Sequence, residues 1–264
     1  MENSISVVIP AYNVESTIIR TLESIERQTQ RDVIEEVVVV NDGSQDNTKE
    51  FVLKYANTSS LNIVLINKEN AGASSARNVG IRKSKGKWIA FCDADDEWLP
   101  IKIEHQLSII NENEDIAFLG GNWKDNPIVI LGRKIECLHN LTIRDVCLKT
   151  FPQTSTIIVK RKVCIDVGGF AENLECGEDV RFIFDVLDKY KGYYEPKKIV
   201  LYDNNKRGFG SKGLSSNLLK MHRGNIDNYL YLYNSKKISL AFYLFLLLFE
   251  EIKYIRRIII TLIQ

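Results

Sequence analysis

Four short runs rich in β-branched and aromatic residues constrain this chain more than any other feature: residues 5–9, 36–41, 63–66 and 88–92. The first two lead through polar loops into apolar residues at helical spacing, Ile18, Ile19, Leu22 and Ile25 after one and Phe51, Val52 and Tyr55 after the other. Uninterrupted apolar strands need cover on both faces, and helices alternating with strands supply it. The pattern therefore predicts a doubly wound, mostly parallel α/β sheet. Right-handed crossovers then bring the strand-to-helix loops to one edge, where such sheets bind ligands.

The fourth run carries the sharpest chemical signal, because it stops abruptly in Asp93-Ala94-Asp95-Asp96. Asp93 and Asp95 are two apart and point the same way if extended geometry persists. Two hard oxygen donors on one face suit Mg²⁺ or Mn²⁺, which keeps water and recruits phosphate oxygens. The competing reading is an acidic turn that caps the next helix, with Asp96 near its N-terminus and Pro100 at an early position. At the first strand tip, Tyr12 is a ring for stacking on a nucleobase or for packing. At the second, Asp42 precedes the turn at Gly43, and a carboxylate there can accept from a ring N–H such as N3–H of uracil. Small residues from Ala71 to Gly80 let the third helix press close to the sheet. They place Arg77 near the acidic loop, where it suits a diphosphate, steadies the aspartates, or makes a structural ion pair. Further on, residues 116–121 and 128–131 read as a hairpin or strand pair.

A length of 264 residues suffices for a large α/β domain with an appendage, and a formal net charge of +1 argues against a dedicated nucleic-acid partner. Five cysteines without a CxxC pair predict free thiols in a reducing compartment. Three histidines without an HxH or HxxxH pattern make a poor zinc site. Met1-Glu2-Asn3-Ser4 has no basic leader region, so the expected location is the cytoplasm.

Pro10-Ala11-Tyr12-Asn13, Val40-Asn41-Asp42-Gly43-Ser44, Asn70-Ala71-Gly72 leading to Ala76-Arg77-Asn78, and Asp93-Ala94-Asp95-Asp96 occur in the order and spacing of the family 2 glycosyltransferases. The chain resembles that family, whose fold is GT-A, onward through Thr154 to Arg161, Val167-Gly168-Gly169-Phe170 and Cys176-Gly177-Glu178-Asp179. The resemblance implies a Rossmann-like, mostly parallel central sheet flanked by helices. It implies an inverting hexosyl- or N-acetylhexosaminyl-transferase that uses a nucleotide-sugar donor, most often UDP-linked, in surface polysaccharide assembly. By the same resemblance, Pro10, Ala11, Tyr12 and Asp42 form the base pocket, with Asn70 and Arg77 nearby. Asp93 and Asp95 are the DxD pair, Asp95 holding Mn²⁺ or Mg²⁺ on the donor diphosphate, and Asp179 is the general base. Glu178 is the fallback base or an acid that binds acceptor or donor sugar. Read from the residues alone, Asp179 is equally a favourable acid at the start of a helix. The alternative function is a catalytically silent nucleotide-sugar-binding or scaffold protein of the same fold, against which the intact Asp95 and Asp179 speak. A nucleotidyltransferase should carry a Gly-rich phosphate loop where Pro10-Ala11-Tyr12-Asn13 stands.

The family often closes its donor site with a segment resembling Tyr-Arg-x-His-x-Gly-Ser-Leu-Ser. The corresponding run from Tyr202 to Ser215 lacks the His and gains glycines, leaving Lys206, Arg207 and Lys212 as cations for a closing loop. Residues 1–213 are expected to form the catalytic domain and residues 214–264 a helical tail. Its apolar stretch, residues 238–249, falls short of the roughly twenty residues needed to span a bilayer. Flanked by Lys236, Lys237, Lys253, Arg256 and Arg257, it suits a helix lying on an anionic membrane surface, here the inner face of the cell membrane. The competing readings are packing on the catalytic domain and a homodimer through the C-terminal helices. A lipid-linked glycan acceptor would give a membrane-bound tail a purpose.

Overall fold

The computed structural model describes residues 3–202 and 217–262. Strand β1 (Ile5–Ala11) lies between β2 (Ile34–Asp42) and β4 (Trp88–Phe91), and β3 (Ile63–Lys68) adds to the far side of β2. All three pairings are parallel. Helices α1 (Ile18–Glu26), α2 (Thr48–Ala56) and α3 (Ala73–Lys83) follow the first three strands, as the alternation predicts. Val7, Val37, Val39, Ile89 and Phe91 have no exposed surface, the physical reason that these strands read as unbroken apolar runs.

The second half is mixed. After β5 (Glu97–Trp98) and α4 (Lys102–Glu112) come β6 (Phe118–Asn122), β7 (Val129–Ile130), β8 (Arg133–Lys134), β9 (His139–Leu141) and α5 (Ile143–Leu148). They are followed by β10 (Ile158–Lys160), α6 (Arg161–Asp166), α7 (Glu178–Lys189), β11 (Gly192–Lys198) and β12 (Val200–Leu201). Strand β10 enters antiparallel between β4 and β6, so the main sheet has the order β3-β2-β1-β4-β10-β6-β11-β9. The pair expected between residues 116–121 and 128–131 does not form. Strand β6 is buried throughout and is taken up by β10 on one edge and β11 on the other. Strand β7 instead turns back on β8 through Leu131 and Gly132, both at positive φ.

The tail forms α8 (Leu218–Asn234) and α9 (Leu240–Leu262), packed on each other, with α8 also against α7. Tyr229, Leu232 and Leu246 share a buried cluster with Val146, Cys147, Phe182 and Val186, so one apolar core runs from the sheet into both helices. Among the described residues, no helix is long and apolar enough to cross a membrane. One face of α9 nevertheless stays open, with Leu240, Leu244, Leu248, Ile252, Ile255 and Ile259 all at least half exposed.

Candidate active site

The first two strand-tip loops are tied to each other before any ligand enters. Asn13 accepts a hydrogen bond from the Gln45 N–H (2.8 Å) and its own N–H donates to Ser44 Oγ (3.0 Å), while the Val14 N–H reaches Thr48 Oγ1 (2.9 Å). Ala11 is buried, Pro10 is half-buried and Tyr12 is 50% exposed, so the Tyr12 ring has an open face. Asp42, almost fully buried, ties down the third loop: its carboxylate accepts from the Ala71 N–H (3.1 Å) and the Gly72 N–H (2.8 Å) and pairs with Lys68. Those contacts leave acceptor capacity, because a carboxylate has about four lone-pair sites. Asn70 stays on the exposed side and donates to the Asp42 carbonyl (3.0 Å).

The acidic loop is held from two sides. Thr21 of α1 donates to the carbonyls of Ala94 (3.0 Å) and Asp96 (2.8 Å), and Arg20 donates to the carbonyl of Asp95 (2.6 Å). From the other side the Asp93 N–H donates to Ser155 Oγ (2.9 Å), and Gln153 donates to the Asp96 carboxylate (2.8 Å). Asp96 is fully buried and does not cap α4, which starts six residues later at Lys102; its carboxylate is already engaged by Ser155 and Gln153. Asp93 and Asp95 remain half-buried at the rim.

Arg77 joins this loop to the start of α7. One guanidinium nitrogen lies 2.8 Å from Asp93 Oδ1 and another 3.2 Å from Glu178 Oε1, and the guanidinium sits 5.1 Å from the Phe170 ring centroid. Burial works against its charge, yet Asp93, Glu178 and Asp179 raise its pKa above the ordinary arginine value. Of the roles left open by the sequence, the ion pairs with the acids are those present in this structure. Phe170 is itself fixed by Asn78 of α3, which accepts from its N–H and donates to its carbonyl, both at 2.8 Å.

Helix α7 begins after Gly177, whose φ of +82° is a conformation that favours glycine. Asn228 of α8 donates to the Gly177 carbonyl (2.8 Å) and accepts from Arg181 (2.8 Å), so the tail fixes where α7 starts. Asp179 sits half-buried in the first turn with its Oδ1 accepting from the Val180 N–H (2.7 Å). Burial, and then the neighbouring Glu178 charge, push its pKa up to about 6, against the pull of that hydrogen bond and of Arg77. A carboxylate so raised is closer to the working range of a general base than an ordinary aspartate. Glu178 and Asp179 line one cavity of about 420 Å³ together with Gln153, Trp123 and Tyr202, a volume suited to a small ligand or a sugar.

The family described as Glycosyl transferase family 2 matches residues 6–154, more than half of the chain. The chain belongs to glycosyltransferase family 2. An uncharacterized glycosyltransferase of Haemophilus influenzae is 31% identical over 189 residues, covering 70% of this chain and 62% of that protein. The Escherichia coli protein named UDP-Glc:alpha-D-GlcNAc-diphosphoundecaprenol beta-1,3-glucosyltransferase WfgD is 37% identical over 129 residues, 47% of this chain and 49% of that one. This chain thus spans about three fifths or less of the length of these curated relatives. In fold, this family 2 member is similar to S. aureus TarS residues 1–349 (TM-score 0.67, 23% identity, 92% of this chain and 69% of that one). It is similar also to the mannosyltransferase PcManGT from Pyrobaculum calidifontis, solved with GDP-Man and Mn²⁺ (TM-score 0.69, 18% identity, 88% and 64%). Both are glycosyltransferase structures, in line with the expected GT-A architecture.

The residues singled out in the sequence thus fall into three groups. Pro10, Ala11, Tyr12, Asp42 and Asn70 lie at the interlocked loops, and Asp93, Arg77, Glu178 and Asp179 form one connected set of charges with Asp95 beside Asp93 at the rim. Lys206, Arg207 and Lys212 lie outside the described residues. Sequence reasoning missed Gln153 and gave Ser155, inside the matched run from Thr154 to Arg161, no role, although the polar stretch Gln153-Thr154-Ser155-Thr156 between Phe151 and Ile157 is a legible interruption. It also missed that the tail's cations face the cavity of Asp179.

Proposed function

We propose that this chain is an inverting glycosyltransferase that moves a sugar from a nucleotide donor, UDP-linked, to a hydroxyl group of a growing glycan. The observation that carries the reading is Arg77, which couples the acidic strand tip through Asp93 to the helix turn bearing Glu178 and Asp179. A donor diphosphate at the tip and an acceptor in the Asp179 cavity then meet across one buried guanidinium. The name of WfgD, a UDP-glucose enzyme acting on a diphosphoundecaprenol-linked sugar, and the solved complex of TarS with UDP-GlcNAc support the donor class and a lipid-linked acceptor.

In this mechanism Tyr12 stacks on the base and Asp42 uses its remaining acceptor capacity for a ring N–H. Asp179 takes the proton from the acceptor hydroxyl. That oxygen forms its bond to the anomeric carbon on the face opposite the diphosphate, and the bond to the diphosphate oxygen breaks with its electron pair leaving on the nucleotide. Among the described residues no cluster of three or more His, Cys, Asp or Glu side chains is arranged to hold a metal. Asp93 and Asp95 alone fit a hard cation that takes one or two carboxylates and fills its shell with water and phosphate oxygens. Asp93 is paired with Arg77, and the family pattern puts the cation on Asp95, the second carboxylate of the pair. Bound there, Mn²⁺ or Mg²⁺ would neutralise charge on the leaving diphosphate.

The test is a panel of sugar nucleotides with Mn²⁺ or Mg²⁺, scored for nucleotide release with and without lipid-linked acceptors. In calorimetry, Asp95→Asn is expected to weaken donor binding tenfold or more, of order one lost charge-assisted contact, and EDTA should do the same to the wild type. Equal donor affinity in all three conditions removes the metal from the mechanism.

We also propose that the open face of α9 rests on a bilayer. Its exposed residues Leu240, Leu244, Leu248, Ile252, Ile255 and Ile259 recur every three or four positions over 23 residues, which makes one continuous apolar stripe. The basic flank contributes less than its sequence suggests, because Lys237 pairs with Asp188 while Lys253 and Arg257 pair with Glu250. Flotation with phosphatidylcholine vesicles should therefore persist at high salt and be lost in Leu248→Glu/Ile252→Glu. A concentration-dependent dimer that does not float would assign the stripe to a second copy of the chain instead.

A further inference from the structure

The cavity that holds Asp179 is lined by two carboxylates, Glu178 and Asp179, and by five cations: Lys124, Lys149, Lys253, Arg256 and Arg257. Three of the five come from α9, Arg256 and Arg257 standing three and four residues after Lys253, so that neighbouring turns of one helix deliver them together. Glu250, fully buried one turn earlier, accepts from Lys253 (2.6 Å) and Arg257 (2.8 Å) and is fixed by Asn225 (2.9 Å). Its single charge orients two cations and cancels one. Among the described residues, Lys149 and Arg256 have no carboxylate at ion-pair distance. Loss of hydration, and then the like charges of Lys124, Arg256, Lys253 and Arg257, lower the Lys149 pKa, which shows that the cations crowd one another. Such an arrangement costs stability in the empty protein and is relieved by an anion.

We propose that this cavity binds a phosphate or diphosphate group carried by the acceptor, seated on Lys149 and Arg256 and backed by Lys253 and Arg257. The inference rests on the assignment of the Asp179 cavity to the acceptor and names the chemistry of that acceptor. The donor's own diphosphate belongs elsewhere, since neither Asp93 nor Asp95, nor any residue of the Pro10 to Tyr12 loop, lines this cavity. An anion there anchors the acceptor by its charged end and leaves its hydroxyl end toward Asp179. The anion can be the diphosphate of a lipid-linked sugar or a phosphate on a soluble glycan.

The experiment titrates wild type and Lys149→Gln/Arg256→Gln with inorganic diphosphate in EDTA by calorimetry. Separate arms measure UDP affinity with Mn²⁺ and binding to phosphatidylcholine vesicles doped with farnesyl diphosphate. The double variant should bind diphosphate at least about tenfold more weakly, the loss expected for charged hydrogen bonds, with UDP affinity unchanged. Its melting temperature should hold or rise, because like charges have been removed; a merely structural role would lower it. Farnesyl-diphosphate-dependent vesicle binding that falls in the variant identifies a lipid-linked source, and its absence beside intact binding of inorganic diphosphate identifies a soluble one. Equal diphosphate affinity in the two proteins, or displacement of diphosphate by UDP in the wild type, overturns the proposal. A wild type that binds diphosphate but no nucleotide would instead count against the donor reading and leave the anion site standing.

Discussion

Asp179→Asn is expected to lower the transfer rate by about 10²–10⁴-fold, the range for removing a positioned general base, while donor binding stays at the wild-type level. The amide keeps the volume and can still accept the Val180 N–H, but it cannot take a proton from the acceptor. The wild-type pH profile provides the independent check. In the proposed role Asp179 works as the anion, and its pKa is raised to about 6, so kcat/KM should be full above that value and fall tenfold per pH unit below it. Glu178 is a cause of the rise, second to burial, and Glu178→Gln should therefore move the acid limb to lower pH. The sign for stability is opposite to that of a paired carboxylate. Burial disfavours the ionised form in the folded protein, so native stability falls as pH rises from the unfolded value toward about 6. Asp179→Asn should accordingly melt at or above the wild-type temperature at neutral pH. A variant that melts lower and loses donor binding would make Asp179 a structural acid.

Arg77→Met should have the largest effect on stability. Arg77 is 6% exposed and bridges two carboxylates that belong to different halves of the molecule. Removing one partner of a buried ion pair typically costs about 3–5 kcal/mol, because the remaining charge is left uncompensated. The variant should therefore unfold at a much lower urea concentration. Arg77 also holds the Asp179 pKa down, so in whatever fraction folds the acid limb of the activity profile should move to higher pH. Arg77→Lys keeps the charge but loses the two-ended reach, and it should recover stability only in part. A loss below about 1 kcal/mol, the scale of an exposed pair, would show that the two halves are held together without this ion-pair bridge.

The parallel half of the sheet was legible because its information is local. Residues 5–9, 36–41, 63–66 and 88–91 carry their burial in their own composition, and the loops after them announce their ends. The mixed half was less legible. Strand β10 has only three residues and its place between β4 and β6 is decided by partners far away in sequence, which also left β7 to pair with β8.

The candidate site divides the same way. The sequence by itself determined the parallel core, the four strand-tip motifs and the acids at 93, 95, 178 and 179, since each depends on a residue type at a fixed local spacing. Tertiary structure alone decided that Arg77 spans Asp93 and Glu178, that Asn228 of the tail fixes the first turn of α7, and that the cations of α9 face the Asp179 cavity. Those three facts join residues 16 to 101 positions apart, and no local pattern encodes them; packing of one continuous core brings them together.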